Sequence, residues 1–126
     1  MSFEIINPEV FGARPSGWNH GMLGEKGGRV LFVAGQIVPV GDFVKQWDGA
    51  LGRVMEVVRA AGGKPENIGR MVVYLTDRSA YLANRTSLGE VHRKHMGRHY
   101  PAMAVVEVKS LIDSKALVEI EAVAIL

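Results

Sequence analysis

Three of the four histidines, His92, His95 and His99, fall at i, i+3 and i+7 and share one helical face, an arrangement by which a helix can present metal ligands. No acidic residue joins them at helical spacing except Glu90, which is off that face, so they read as surface or helix-end histidines near the helix dipole and no metal is expected. Arg93, Lys94 and Arg98 share this stretch, the densest basic segment of the chain, and its plain reading is a solvated helix end. The fourth histidine, His20, stands in a loop rich in backbone breakers, Gly12, Pro15, Ser16 and Gly17, that ends in Trp18-Asn19-His20-Gly21. Loops of this kind commonly line binding sites. Near the end of the chain Glu119 and Glu121 alternate with apolar residues, which on a strand puts both carboxylates on one face. Cysteine is absent, so there is no disulfide, thiolate nucleophile or thiolate metal site, and no cofactor is expected.

These residues must be positioned by a single domain, residues 1–126, because a chain of 126 residues with 48% hydrophobic composition can bury one core and not two. The 15 basic and 13 acidic residues nearly cancel to +2, the basic ones are scattered, and only 7% of residues are aromatic. That pattern argues against a nucleic-acid partner, which calls for clustered Lys/Arg with rings to stack on bases. No apolar run of signal-peptide or membrane-spanning length occurs, so a soluble, cytoplasmic protein with no membrane partner is expected.

Phe3 to Ile6 reads as an edge strand stopped by Asn7-Pro8. Met22-Leu23, a glycine-rich turn from Gly24 to Gly28 and Arg29 to Val33 read as a hairpin, the second strand running on into Ala34-Gly35-Gln36-Ile37. From Phe43 the period changes: Phe43, Trp47, Ala50, Leu51, Val54, Val57, Val58 and Ala61 form one stripe, with Lys45, Asp48, Glu56 and Arg59 opposite. This is an amphipathic helix capped by Asp42 and stopped by Gly62-Gly63 and Pro65.

Met71 to Leu75 is a continuous apolar run of strand length that suggests burial on both faces. Asp77 and Ser79 offer caps for a second helix through about Met96, with Gly89 as its weak point. Ala102 to Lys109 and Ala116 to Ile125 are β-rich, and the loop around Ile112-Asp113-Ser114 is short enough to join them as an antiparallel hairpin. The order ββ(β)αβαββ predicts an α+β sandwich, a mostly antiparallel sheet with two helices on one face. Both sides of the strand containing Val105 carry apolar residues, so a lone domain would leave one side wet, and self-association is expected.

Val33-Ala34-Gly35-Gln36-Ile37, Tyr74-Leu75-Thr76-Asp77, Tyr100 to Val108 and Val118-Glu119-Ile120-Glu121-Ala122-Val123-Ala124 occur in the order and spacing of the Rid (YjgF) family of reactive-intermediate deaminases, which the chain resembles over nearly its whole length. The resemblance implies a chorismate-mutase-like fold, a homotrimer and a small-molecule pocket at each subunit interface. In the family's deaminases an arginine holds the carboxylate of a 2-imino or enamino acid while a glutamate and a backbone carbonyl position water. Water attacks the C=N carbon and ammonia leaves. Such an imine hydrolyses readily, so the catalyst must chiefly orient it and present water, and an arginine fork is the best carboxylate anchor.

On this alignment of motifs Glu119 is the water-positioning catalytic residue and Val105 contributes the carbonyl. Trp18, His20, Phe32, Ala34, Gly35, Met103 and Val105 are the pocket-lining positions. The departures are specific. Met103 stands where the arginine belongs, and a thioether cannot bind a carboxylate. Ala34 replaces a serine, Gly17-Trp18-Asn19-His20 replaces a Pro-Tyr-Ser-Gln segment, and Gly89 stands for an asparagine. Polar contacts are lost together, which predicts a pocket recut for a less anionic or more apolar ligand. The expected function is a deaminase or hydrolase of imine-like metabolites that is not a standard 2-iminopropanoate deaminase. The alternatives are a non-catalytic metabolite-binding or chaperone-like protein and, against the dispersed charge, an RNA-binding endoribonuclease of the kind some family members have been described as.

Overall fold

Asp42 accepts a hydrogen bond from Lys45 N at 2.9 Å and so starts helix α1 (Phe43–Ala60), a cap worth about 1 kcal/mol. Of its expected apolar stripe Phe43, Trp47, Ala50, Leu51, Val54 and Val58 are buried, with Gln46 and Met55 added, while Val57 and the C-cap Ala61 are only half-buried, and the chain leaves the helix through Gly62 at φ +88°. The computed structural model describes residues 3–126; Met1 and Ser2, the start of the expected domain, lie outside the described residues.

The helix covers one face of a four-stranded sheet built from β3 (Val30–Gln36), β4 (Ile68–Leu75), β5 (Ala102–Glu107) and β6 (Val118–Ile125), ordered β3-β6-β4-β5. Strand β6 runs antiparallel to both neighbours and β5 runs parallel to β4. Val118, Ile120, Ala122 and Ala124 of β6 alternate into the core beneath α1, together with Met71, Val73 and Leu75 of β4. The α+β architecture with helices on one face is thus the one expected.

Two expected hairpins are corrected. The β-rich segments at the end of the chain do not pair with each other: Val108 N continues the β4–β5 ladder by donating to Leu75 O at 2.8 Å, and the following loop carries the chain across to the far side of β4. Strand β6 pairs there with β3 on one side and β4 on the other, which leaves β5 as the edge of the sheet. Likewise β2 (Gly21–Leu23) pairs with β1 (Glu4–Ile6) in a separate two-stranded sheet, while β3 pairs with β6. The glycine-rich segment between β2 and β3 connects two sheets.

The expected second helix is two helices, α2 (Arg78–Ala83) and α3 (Arg85–Met96). The break falls at Asn84 and not at Gly89, because the Asn84 side-chain amide donates to Ala80 O at 2.7 Å and its backbone sits at φ −119°, ψ 20°. Asp77 caps α2 by accepting from Ser79 N and Ala80 N, so Ser79 is inside the helix; Glu107 of β5 accepts a further bond from Arg78 N. Helix α3 packs on α1, where Lys94 and His95 both engage Asp48, at 3.0 and 2.5 Å.

Candidate binding cavity

Strand β5 is the edge of the sheet, and its start is tied to the loop before β2 by one buried side chain. Asn19 N donates to Pro101 O at 3.2 Å, its amide donates to Tyr100 O at 2.7 Å, and its Oδ1 accepts from Asn7 Nδ2 at 2.9 Å. With Asn19 fixed, the preceding Trp18 stands over a cavity of about 440 Å³ between β5 and helices α2 and α3. That volume lies in the range of roughly 300–1,000 Å³ usual for small-molecule sites.

The parity of β5 decides which of its residues reach the cavity: Met103 and Val105 face the helices and line it, while Ala104 and Val106 face away. The helical wall comes from Arg85, Gly89, His92 and Arg93, spaced along one face of α3. Aromatic rings frame it. Trp47 stacks on Tyr81 at 5.8 Å, the Arg85 guanidinium lies 5.4 Å from the Tyr81 centroid, and His92 stacks on Tyr100 at 4.9 Å with planes 4° apart.

His92 Nε2 donates to His99 O at 2.8 Å. A carbonyl only accepts, so the ring proton is on Nε2 and Nδ1 is left as an acceptor. Burial holds the ring's pKa below the usual histidine range, outweighing the hydrogen bond to His99, so the neutral form is favoured. The other two histidines of that segment have separate structural partners: His95 meets Asp48, and His99 donates to Ile68 O at 2.7 Å. His95 is the first cause of a lowered Asp48 pKa, opposed by desolvation and assisted by Lys94.

Within the single chain the expected pocket positions divide between the two faces of the sheet. Trp18, Met103 and Val105 line the cavity. His20 sits just outside, its ring 4.6 Å from Trp18 and 4.9 Å from Phe11. Phe32, Ala34 and Gly35 are exposed on β3, and Glu119 alternates out of the core on the opposite face of the sheet. On that face a Cβ on Gly35 would overlap the Glu119 carboxylate, and Gln36 pins the bulge between them by donating to Ala34 O at 2.9 Å while accepting from Arg53. Tyr74 donates to Glu121 in a short hydrogen bond that, as the largest cause, raises the phenol's pKa.

Sequence reasoning missed Asn19, Tyr81, Arg85, His92 and Arg93 as residues that build or line this cavity. The i, i+4, i+8 spacing of Arg85, Gly89 and Arg93 was the available signal, but a helix face cannot be matched to a strand edge before the fold is known. The two arginines put cationic groups in the cavity wall, which the less anionic or more apolar ligand expected from the lost polar contacts does not call for.

Several solved structures share this fold along the whole chain. A Rid-family protein, YyfB from Yersinia pestis, is 29% identical with all of both chains covered and a TM-score of 0.83. Rv2704 from Mycobacterium tuberculosis, described as a member of the YjgF/YER057c/UK114 family, is 30% identical over 99% of this chain and 100% of its own, with a TM-score of 0.69. TdcF from E. coli, solved with bound serine, is 26% identical over 98% of each chain with a TM-score of 0.66. No protein of curated function matches the chain. The family model described as Endoribonuclease L-PSP matches residues 15–126, and the chain therefore belongs to the YjgF/Rid family.

Proposed function

We propose that this chain is a small-molecule pocket protein of the Rid family that hydrolyses imine-like reactive metabolites but acts poorly on 2-iminopropanoate. The observation that carries the reading is the cavity beside β5, where Met103 and Val105 stand with Trp18 over a volume suited to a small metabolite. It is further supported by the bound serine of TdcF, a ligand with a carboxylate and a nitrogen on adjacent atoms. Glu119 lies on the other face of the same sheet, so in this reading the water-handling carboxylate meets the cavity of a neighbouring subunit in a homotrimer. The exposed apolar residues on the Glu119 face of the sheet, with Phe32 at 78% exposure, support such an assembly. No helix among the described residues is long and apolar enough to cross a membrane, which fits the proposed cytoplasmic location.

The test is ammonia release from 2-iminopropanoate made in situ. With a thioether at 103 the wild type lacks the two charge-assisted bonds, of about 1.5–3 kcal/mol each, that an arginine on strand β5 would make to the carboxylate of so small a substrate, so its rate is low and Met103→Arg raises it. Adding Glu119→Ala to that variant abolishes the gain. A high wild-type rate unaffected by Met103→Arg would overturn the reading. Non-catalytic metabolite binding is the second reading, favoured by the separation of Glu119 from the cavity within one chain; it predicts saturable binding with no turnover of any imine and no response to Glu119→Ala.

A further inference from the structure

We propose that Arg85 and Arg93 form an anion clamp in this cavity, one that binds the carboxylate of a ligand whose flat apolar body lies among the rings of Trp18, Tyr81 and Tyr100. The inference rests on the cavity being the ligand site and goes further by naming the charge and shape of what it holds.

Arg85, Gly89 and Arg93 are each four residues apart on α3 and so fall on one stripe, about 6 Å per step along the axis. Helical side chains lean toward the N-terminus, which carries Arg93 back over Gly89. Its Nη1 comes to 3.7 Å from where a Cβ on Gly89 would stand, which places the guanidinium over Gly89 on the cavity wall. Arg85 is steadied by the Tyr81 ring, a contact with its π-face that leaves the in-plane N–H donors free.

Neither guanidinium forms a salt bridge among the described residues, and no Asp or Glu lines the cavity. The histidine of the cavity wall, His92, is held toward its neutral form by burial. Two fixed positive charges in an aromatic-framed cavity without a compensating anion call for an anionic ligand. Planar guanidinium forks suit a planar carboxylate, and the neighbouring rings suit a planar body attached to it. The strand residue Met103 then serves as an apolar wall to that body, and the anchor comes from the helix.

Binding of benzoate and of its neutral analogue benzamide to the full chain tests this. The chain's two tryptophans, Trp18 and Trp47, both line the cavity, so their indole N–H signals report occupancy by NMR. The expected result is that benzoate shifts these signals and binds at least about tenfold more tightly than benzamide, as one or more charge-assisted bonds provide. Arg85→Gln and Arg93→Gln, substitutions that keep good helix formers at exposed positions, each weaken benzoate by about tenfold and leave benzamide unchanged. Equal affinity for the two probes, or a benzoate preference that survives both substitutions, overturns the clamp while leaving the cavity as the ligand site. Indole signals unmoved by either probe overturn the clamp and the cavity reading together.

Discussion

The carboxylate of Glu119 on β6 rests against the α-carbon of Gly35 on β3, so closely that any side chain at position 35 would overlap it. Gly35 has no positive φ, so its glycine is needed here for space and not for backbone conformation. The contact couples two residues that lie far apart in the chain and share the exposed face of the sheet.

Gly35→Ala therefore acts by moving Glu119. The colliding atoms are the far end of a flexible side chain, so the expected stability cost is small, about 1 kcal/mol or less, while any activity that depends on Glu119 falls as far as in Glu119→Ala. In a Glu119→Ala background the alanine at 35 has no further effect on activity. A double-mutant cycle measures this, and additive losses would show that the contact does not position the carboxylate.

Phe32 is 78% exposed on the same face, beside Val30 at 52% on β3, and Val106 at 41% is exposed on the opposite edge strand β5. If this face is covered in a trimer, Phe32→Lys places a charge where each subunit would bury a ring, a change of about 2–3 kcal/mol per subunit before the cost of the charge. Sedimentation should give a trimer for the wild type and a smaller species for the variant. A wild type that sediments as a monomer in dilute solution contradicts the assembly.

The His92 ring has a lowered pKa in the folded state because burial disfavours its charge. Above its ordinary value of 6.5 both folded and unfolded rings are neutral and the group contributes no pH dependence. As the pH falls below 6.5 the unfolded chain binds the proton first, so stability drops until the lowered folded value is passed. Denaturant midpoints across this window should fall for the wild type and fall less for His92→Gln, whose amide can still donate to His99 O. The lowered pKa of Asp48 acts in a separate window, at and below 3.8.

Gln46 is buried on α1 and ties the helix to the loop before β6: its Nε2 donates to Gly41 O and Lys115 O, both at 3.1 Å, and its Oε1 accepts from Leu117 N at 2.8 Å. Gln46→Leu keeps the volume but strands those backbone groups. The expected loss is about 2–4 kcal/mol, read from chemical denaturation. A loss under about 0.5 kcal/mol would mean that water or the loop itself replaces the bonds.

The sequence by itself determined helix α1, its Asp42 cap and its glycine stop, because these depend on the identity of residues within one or two turns of each other. It also determined the α+β class and the family, whose motifs are local strings. Strand partners were decided only by the tertiary structure. The segment from Val118 is equally apolar on alternate positions whether it pairs with β5 or enters between β3 and β4, and only the packing of the whole chain selects the second. That choice sets the faces of the sheet. Alternation shows that Met103 and Val105 share a side, and that Glu119 and Glu121 share a side, but register across β4 is what turns the first pair toward α3 and the second away from it. The aromatic and arginine wall of the cavity was beyond reach for the same reason: Arg85, Gly89 and Arg93 align on a helix in any fold, and only packing against the edge strand β5 makes that alignment a binding surface.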